Sequence, residues 1–541
     1  MENTCKISNK EFEITSKDQE FYKQIWVPEP TLCPQERQRR RMVWRNDRIF
    51  YKRTCDQSGK KVISMYDEET SFPVYDQHEW WSDKWNTLDY GREFDFERSF
   101  FEQFGELLNE VPRISLINKN PENAEYCNFA LGNQNSYLLF TSGGNESSAY
   151  LNRSWDSDNT LDGINIRNCS LCYNITDSTN CYRCIHVTNC RDSSNLMYSE
   201  NLTNCNNCFG CSNLINKQYH IGNKPVEKEE YQKIVNMYLS NSDKLEAFLE
   251  IQNKAKFYKD IQGMGNTACS GNFLSYSKNS EVCFDGNHLE DCKYATNITE
   301  SKSVYDTDND DHSELVYESI WSEKNYFCLF NDICWFNSHL MYSSLCFDSK
   351  NSFGCIWLRN NEYCILNKQY TKEQYEEMLP RIIAHMKETW EWWEFFPISL
   401  SPFAYNESIA QDYFPLSKNE AVSLWWKWKQ EKQSAKYEWA IKDIPENIDD
   451  VSDDILAQIL TCTSCEKNYR IVWLELNLYR KLWVSIPHHC FNCRHAERLN
   501  QRRKRTLHTR SCNPCTKEIK TVHWESEKIV CCEECYIKNV N

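Results

Sequence analysis

The chain has 541 residues, 29 cysteines, 14% aromatic residues and a net charge of −16. That length predicts several domains or one elongated one, and the acidic balance excludes a general nucleic-acid coat, although the basic residues are clustered. The opening MENTCKISNKEFEIT has no charged-then-apolar leader, and no apolar run approaches a membrane span, so a cytoplasmic protein is expected, with cysteines reduced or metal-bound.

Residues 1–100 hold three distant thiols, Cys5, Cys33 and Cys55, and two aromatic clusters, WWSDKW and FDFERSFFEQF. Between them runs ERQRRRMVWRNDRIFYKR, with eight Arg or Lys against two acids. Residues 127–216 follow a different rule, a period of three. Cys169, Cys172, Ile175, Ser178, Cys181, Cys184, Val187 and Cys190 are all small or apolar, and the phase runs from Cys127 to Leu214, broken at Asn133 and Asn145. Three residues fit neither a helix nor a flat strand. They fit a chain that turns at short regular intervals.

A spacing of twelve aligns Tyr137, Ala149, Leu161, Tyr173, Ile185, Met197 and Phe209 in an apolar outer column. It also aligns Asn168, Asn180, Asp192, Asn204 and Asn216, and Asp177, Asn189, Asn201 and Asn213. Asn and Asp tolerate left-handed backbone and suit tight corners. The prediction is a mainly β fold, a narrow parallel β-solenoid of about 12-residue coils with helical insertions and small terminal modules. Its inward Cys, Ser and Ala resemble those of the insect antifreeze β-helix, but the Thr-x-Thr ladder that binds ice there is missing.

Residues 222–262 predict a helical insertion, with an amphipathic pattern from Glu227 to Tyr258. The three-residue phase returns over 268–367, as does the outer column, at Tyr305, Tyr317, Leu329, Met341 and Phe353. Two coil ends look duplicated, with Cys211 matching Cys355 at an offset of 144 residues. Residues 371–450 form a helical, Trp-rich connector, beginning with a helix over Lys372 to Thr389. Most central cysteines read as buried small hydrophobes. Disulfides six residues apart (Cys184/Cys190, Cys205/Cys211, Cys328/Cys334) and a four-sulfur site at Cys169, Cys172, Cys181 and Cys184 are the alternatives. The run DTDNDDHSE lacks the spacing of a calcium loop and reads as a solvated edge. The outer column needs a cover: the helices, the aromatic N-terminal region or a second chain.

Residues 455–541 contain four CxxC pairs: Cys462/Cys465, Cys490/Cys493, Cys512/Cys515 and Cys532/Cys535. Four such pairs point to two structural four-cysteine zinc sites of treble-clef or zinc-ribbon type, with all positions filled by sulfur. The second pair opens the basic stretch RHAERLNQRRKRTLHTR. The N-terminus repeats this layout. Cys5 to Cys33 and Cys462 to Cys490 both span 28 residues, and Cys33 to Cys55 and Cys490 to Cys512 both span 22. Ser8, Glu36 and Ser58 replace the second cysteines there, and Asp76 and Glu79 replace the last pair. This copy is therefore expected to be held by aromatic packing, without metal.

VPEPTLCPQERQRRR, RNDRIFYKRTCD, EWWSDKWNTLDYGREFDFERSFFEQF, NSFGCIWLRNNEYCILNKQYTKEQYEEM and EFFPISLSPFAYNES resemble a family of cysteine-rich zinc-ribbon proteins of candidate-phyla-radiation bacteria. The resemblance covers nearly the whole chain. It implies a bacterial cytoplasmic protein with zinc-ribbon ends, and no particular activity. It also implies glycine at Trp26, Trp357, Trp390, Trp393, Trp425 and Trp483. Some of these bacteria read UGA as glycine, so these tryptophans are read as translated UGA codons.

No G-x-x-x-x-G-K-[ST], G-x-S-x-G or H-E-x-x-H motif occurs. The expected function is a nonenzymatic zinc-binding scaffold that meets a protein partner, or itself, through solenoid faces. The alternative is RNA or DNA binding through the zinc-stapled basic segments, with Arg39, Arg40, Arg41, Arg502, Arg503, Lys504 and Arg505 on phosphates and Trp44, Phe50 and Tyr51 stacked on bases. Set against that, these arginines could pair with acids of the same chain, DNDDHSE and NIDDVSDDIL among them. An enzyme is the third and weakest reading.

Overall fold

The computed structural model describes the chain except residues 1, 431–439, 442, 503–504, 524–527 and 541. Strands dominate, in two long sheets made mostly of parallel pairs. The first has 12 strands, from Asn118–Lys119 to Lys224–Pro225, and the second 11, from Gly263–Met264 to Lys368–Gln369. The register is the predicted spacing: Ala149 pairs with Leu161, Leu161 with Tyr173 and Tyr173 with Ile185. Tyr305, Tyr317, Leu329, Met341 and Phe353 pair in the same way in the second sheet.

The three-residue phase is a backbone rule as well as a packing rule. Every residue of the clusters lining the two sheets, Cys169, Cys172, Ile175 and Cys181 among them, lies on it. The residue just before many of these is left-handed, and so are all nine Asn and Asp of the two predicted polar columns. Small polar side chains on the buried face are bonded along the stack. The Ser178 hydroxyl donates to the Thr176 carbonyl at 2.8 Å and accepts from the Cys190 amide, one register later, at 3.0 Å. Cysteine does the same more weakly, with Cys169 Sγ 3.4 Å from the Arg167 carbonyl. Asn133 and Asn145, the apparent breaks in the phase, face the same way: Asn145 donates to Asn133 Oδ1 at 2.9 Å.

The central cysteines are free thiols, so none of the three disulfides forms. Among the described residues Cys169, Cys172, Cys181 and Cys184 do not close into a metal-binding group. DTDNDDHSE is no solvated edge either. Asp306, Asp308 and Asp310 are buried, the first two because arginines from the N-terminal region meet them. The pattern from Glu227 to Tyr258 splits into two helices, Lys228–Leu239 and Ser242–Lys254, because Asn241 caps the second, its side chain accepting from the Lys244 amide. The later helix runs Lys372–Glu388.

The apolar outer column is covered unevenly. In the second sheet it lies in the largest core, with Phe21 and Tyr22, the helix Phe100–Glu110 and Phe395 and Phe396. In the first, Ala149, Leu161 and Tyr173 lie under the C-terminal region, and Phe209 under the two inserted helices.

Trp26, Trp357, Trp390, Trp393, Trp425 and Trp483 all have positive φ. Trp483 ends the helix Trp473–Leu482 at φ 56° and ψ 46°, where glycine is favoured because a Cβ is penalised. Trp26, Trp390, Trp425 and Trp483 are 70%, 75%, 92% and 78% exposed, so their indoles gain little from packing. A left-handed non-glycine residue costs about 1–2 kcal/mol. Replacing each of these four by glycine is therefore expected to stabilise the protein by about 1 kcal/mol in urea unfolding, whereas Trp392→Gly, at a buried site, is expected to destabilise it.

Asp310 supplies a second expectation. Its carboxyl oxygens have no partner in hydrogen-bond geometry among the described residues. Burial pushes its pKa up to about 7, only partly opposed by nearby Ser313. The folded state then holds a proton that the unfolded chain releases near pH 4. Stability should fall from about pH 4 to pH 7 and level off above, by at most about 4 kcal/mol. Asp310→Asn should flatten that slope in unfolding measured across pH.

Candidate metal centres and the buried basic helices

The C-terminal cysteines gather as two groups of four, Cys462, Cys465, Cys490 and Cys493, and Cys512, Cys515, Cys532 and Cys535. Within each group the sulfurs lie within 4.8 Å of one another, so each could hold a metal ion. Cys462–Cys493, Cys465–Cys490 and Cys515–Cys532 are each 3.7 Å apart, far beyond a ~2.05 Å disulfide. Tight turns point backbone amides at the sulfurs: the Cys490 amide lies 3.2 Å from Cys462 Sγ, and the Cys532 amide 3.2 Å from Cys512 Sγ. Burial raises the Cys462 thiol, but the amides of Cys490, Cys465 and Ser464 outweigh it and bring its pKa down to about 6. A thiolate favoured by amide donors is the form that binds metal.

The N-terminal copy keeps the geometry and loses the ligands. Ser8 Oγ is 3.6 Å from Cys33 Sγ, as Cys465 is 3.7 Å from Cys490. The Asp76 amide lies 3.2 Å from Cys55 Sγ, as the Cys532 amide does from Cys512. Ser58 donates to Asp76 at 3.2 Å, a hydrogen bond where the C-terminal copy has thiols. Among the described residues no metal-binding group forms here.

Each copy sends a basic helix into the sheets, Pro34–Met42 in one and Phe491–Gln501 in the other. The second begins at Cys490 and carries Cys493, so the possible metal site fixes its start. Its arginines are spent inside the protein. Arg494 and Arg498 meet buried Asp162 at 3.0 Å and 2.8 Å. Arg502 lies 2.8 Å from Asp177 and 2.6 Å from Asp285, and Arg505 2.8 Å from Asp285.

The N-terminal helix behaves in the same way. Arg37 lies 2.9 Å from Asp306 and Arg41 3.1 Å from Asp308. Arg40 sits between Glu318, at 2.9 Å, and Glu394. Arg39 pairs with Glu36 and lies 4.6 Å over the Trp426 ring.

These positions correct the picture of a phosphate-binding surface. Arg40, Arg41, Arg502 and Arg505 are enclosed by carboxylates, and Arg39 is held by Glu36 and Trp426. Arg503 and Lys504 lie outside the described residues. The aromatics are engaged too. Trp44 is buried against Phe396, Phe50 packs on Phe140, and Tyr51 bonds Glu407. DNDDHSE does supply a partner, Asp308 for Arg41, whereas the acid of NIDDVSDDIL that pairs, Asp453, meets Arg480, outside both basic stretches.

The two clamps correspond residue by residue. Arg37 and Arg494 stand 457 positions apart, like the cysteines Cys33 and Cys490, and their partners Asp306 and Asp162 stand 144 apart. The same two offsets relate the stacking of Arg37 over Tyr294 to that of Arg494 over Tyr150. They relate the edge-on pair Tyr22–Tyr317 to Tyr479–Tyr173, and the Arg45–Thr141 bond to Arg502–Asp285. Arg153 bonds Asn297, its own counterpart, as residues on a local two-fold axis do. Each helix, with the residues just after it, thus reaches both sheets.

The sequence reading missed Arg37, Arg45, Arg494 and Arg498 and the acids they meet. The available signal was the four-residue spacing of Arg37, Arg41 and Arg45, repeated by Arg494, Arg498 and Arg502. Asp162→Asn should leave Arg494 with Glu475 and buried Arg498 without an ion-pair partner among the described residues, and cost about 3–5 kcal/mol in urea unfolding. Asp453→Asn, at the exposed pair with Arg480, should cost under about 1 kcal/mol.

Among the described residues no helix is long and apolar enough to cross a membrane. No protein-family model matches the chain, and no curated protein matches it in sequence.

Proposed function

We propose that the protein is a nonenzymatic scaffold: two β-solenoid segments of twelve-residue coils, locked together by terminal treble-clef-like modules, the C-terminal one stapled by two structural zinc ions. The observation that carries this reading is the helix Phe491–Gln501. It starts at the metal-site cysteine Cys490, and it and the residues after it place Arg494, Arg498 and Arg502 in buried ion pairs with both sheets. Four sulfurs about 2.3 Å from one tetrahedral zinc lie about 3.8 Å apart, close to the 3.7 Å of the three measured pairs. With four thiols in each site no position is left for a reacting water, which fits a structural ion and not a catalytic one. The solenoid reading is supported by the parallel register of twelve together with one buried residue in three.

Purified full-length protein should contain about two zinc ions per chain by elemental analysis. Removing them with a chelator should lower the melting temperature and open the helix Phe491–Gln501 to protease, because the clamp loses its anchored start. A chain that melts at the same temperature with and without metal would overturn the zinc staple. Salt-sensitive binding of random RNA or DNA by the intact, metal-loaded chain would favour the nucleic-acid reading instead.

A further inference from the structure

We propose that the first sheet carries an open groove for an aromatic segment of another protein, a groove that the second sheet shows already filled by its own chain. The inference uses the 144-residue correspondence between the sheets and does not depend on what the cysteine sites bind.

In the second sheet Leu329, Phe330, Met341 and Tyr342 form a continuous buried strip. The turn following helix Lys372–Glu388 closes over it. Trp392 lies 6.3 Å from Phe330 and 5.8 Å from Tyr342, Phe396 lies 6.0 Å from Tyr342, and the Tyr342 hydroxyl donates to the Glu391 carbonyl at 3.2 Å. Phe100 completes the cover at 5.3 Å from Tyr342, packed so closely on Gly354 that a Cβ there would lie 2.8 Å from its ring.

The counterparts in the first sheet are Ile185, His186, Met197 and Tyr198. One part of the cover is reproduced. Phe248 packs on Gly210, the counterpart of Gly354, so closely that its ring leaves no room for a Cβ, and it lies 5.7 Å from Phe209. The other part is missing. Ile185, His186, Met197 and Tyr198 are all only half-buried, Ile185 at the edge of the C-terminal core and Met197 and Tyr198 at the edge of the inserted-helix core. Among the described residues the rings that meet His186 and Tyr198 all belong to their own sheet, with no counterpart of the Trp392 and Phe396 rings. His186 and Tyr198 stack at 4.9 Å and present a flat aromatic floor. At the rim Ile251 is 65% exposed, while Phe395, its counterpart by the same offset, is fully buried.

The chemistry of the floor identifies the occupant. Where the second sheet has Glu318 held by Arg40, the first has Asn174, bonded to the His186 ring at 2.8 Å. Burial holds His186 neutral, its pKa lowered to about 4. A neutral, aromatic-floored groove suits an uncharged Trp- or Phe-bearing segment, inserted as Trp392 and Phe396 are on the second sheet, since aromatic pairs add about 0.5–1.5 kcal/mol beyond area burial.

The probe is a fluorescent peptide with the sequence of residues 391–400 of this chain, made uncharged by Glu391→Gln and Glu394→Gln, added to the intact full-length protein. Saturable micromolar binding is expected, weakened at least about tenfold by Met197→Glu and unchanged by Leu131→Glu, at an exposed site elsewhere on the same sheet. A photoreactive version should crosslink to residues 185–198 of the unmutated chain, which keeps the test valid if Met197→Glu fails to fold. Absence of saturable binding up to about 1 mM, or crosslinking elsewhere, would overturn the proposal. So would a protein that is dimeric alone and refuses the peptide, which would put a second copy in the groove.

Discussion

The buried arginine–carboxylate contacts constrain everything around them. A guanidinium moved out of water loses several kcal/mol of hydration, and only a well-placed carboxylate with further hydrogen bonds offsets that loss. Arg494, bonded to Asp162, Glu475 and the His489 carbonyl, meets that demand in full, and Arg41, bonded through Nε to Asp308 at 3.1 Å with Asp306 and Glu318 at 3.7 Å, meets it mostly by charge; both sit at fixed points on the sheets. Slipping a helix by one turn would leave charges on both sides unpaired. The pairs therefore set where each terminal module sits more than they add net stability. Because Arg502 meets Asp177 of one sheet and Asp285 of the other, they also set how the sheets lie together.

The sheets in turn explain the cysteine content. A backbone that turns left-handed every third residue leaves room only for small or compact side chains on its buried face. Ser, Cys and Asn fit that space, and each can also bond the backbone of its own or the next register. Cysteine brings a weak donor in a small apolar body, which suits a site where water is absent. Its abundance here needs neither disulfide nor metal, and Cys127 and Cys292 show the consequence, since burial pushes both thiols up to about 12.

Much of this was legible in the amino-acid order. The period of three and the spacing of twelve returned as burial and register because both are local backbone rules that repeat many times. The helix-end tryptophans were legible because a left-handed cap asks for glycine wherever it occurs. The basic stretches were left open between phosphate and acids of the same chain for the opposite reason. Whether Arg40 faces phosphate or Glu318 depends on a partner 278 residues away, and composition does not report such a partner. The same holds for Asp308, which looked solvated within DTDNDDHSE and is in fact the counter-charge of Arg41.

The two terminal copies then show what a cysteine set is needed for. In the N-terminal copy Ile14, Phe21, Tyr22, Val27, Trp44 and Cys55 belong to the largest core of the molecule. Ser8, Ser58 and Asp76 stand in that copy where the other has ligand cysteines, apolar burial already fixes it, and Ser58 and Asp76 bond each other. Among the described residues the last C-terminal group has a core of Cys512, Ile519, Val530 and Cys532, with Tyr258 and Cys535 at its edge. A core that small cannot offset the chain entropy of its loops, and small domains in that position rely on a disulfide or a metal. The four-cysteine sites survive at the end of the chain where apolar packing is thinnest, and there a bound ion would supply what the aromatic core supplies at the other end.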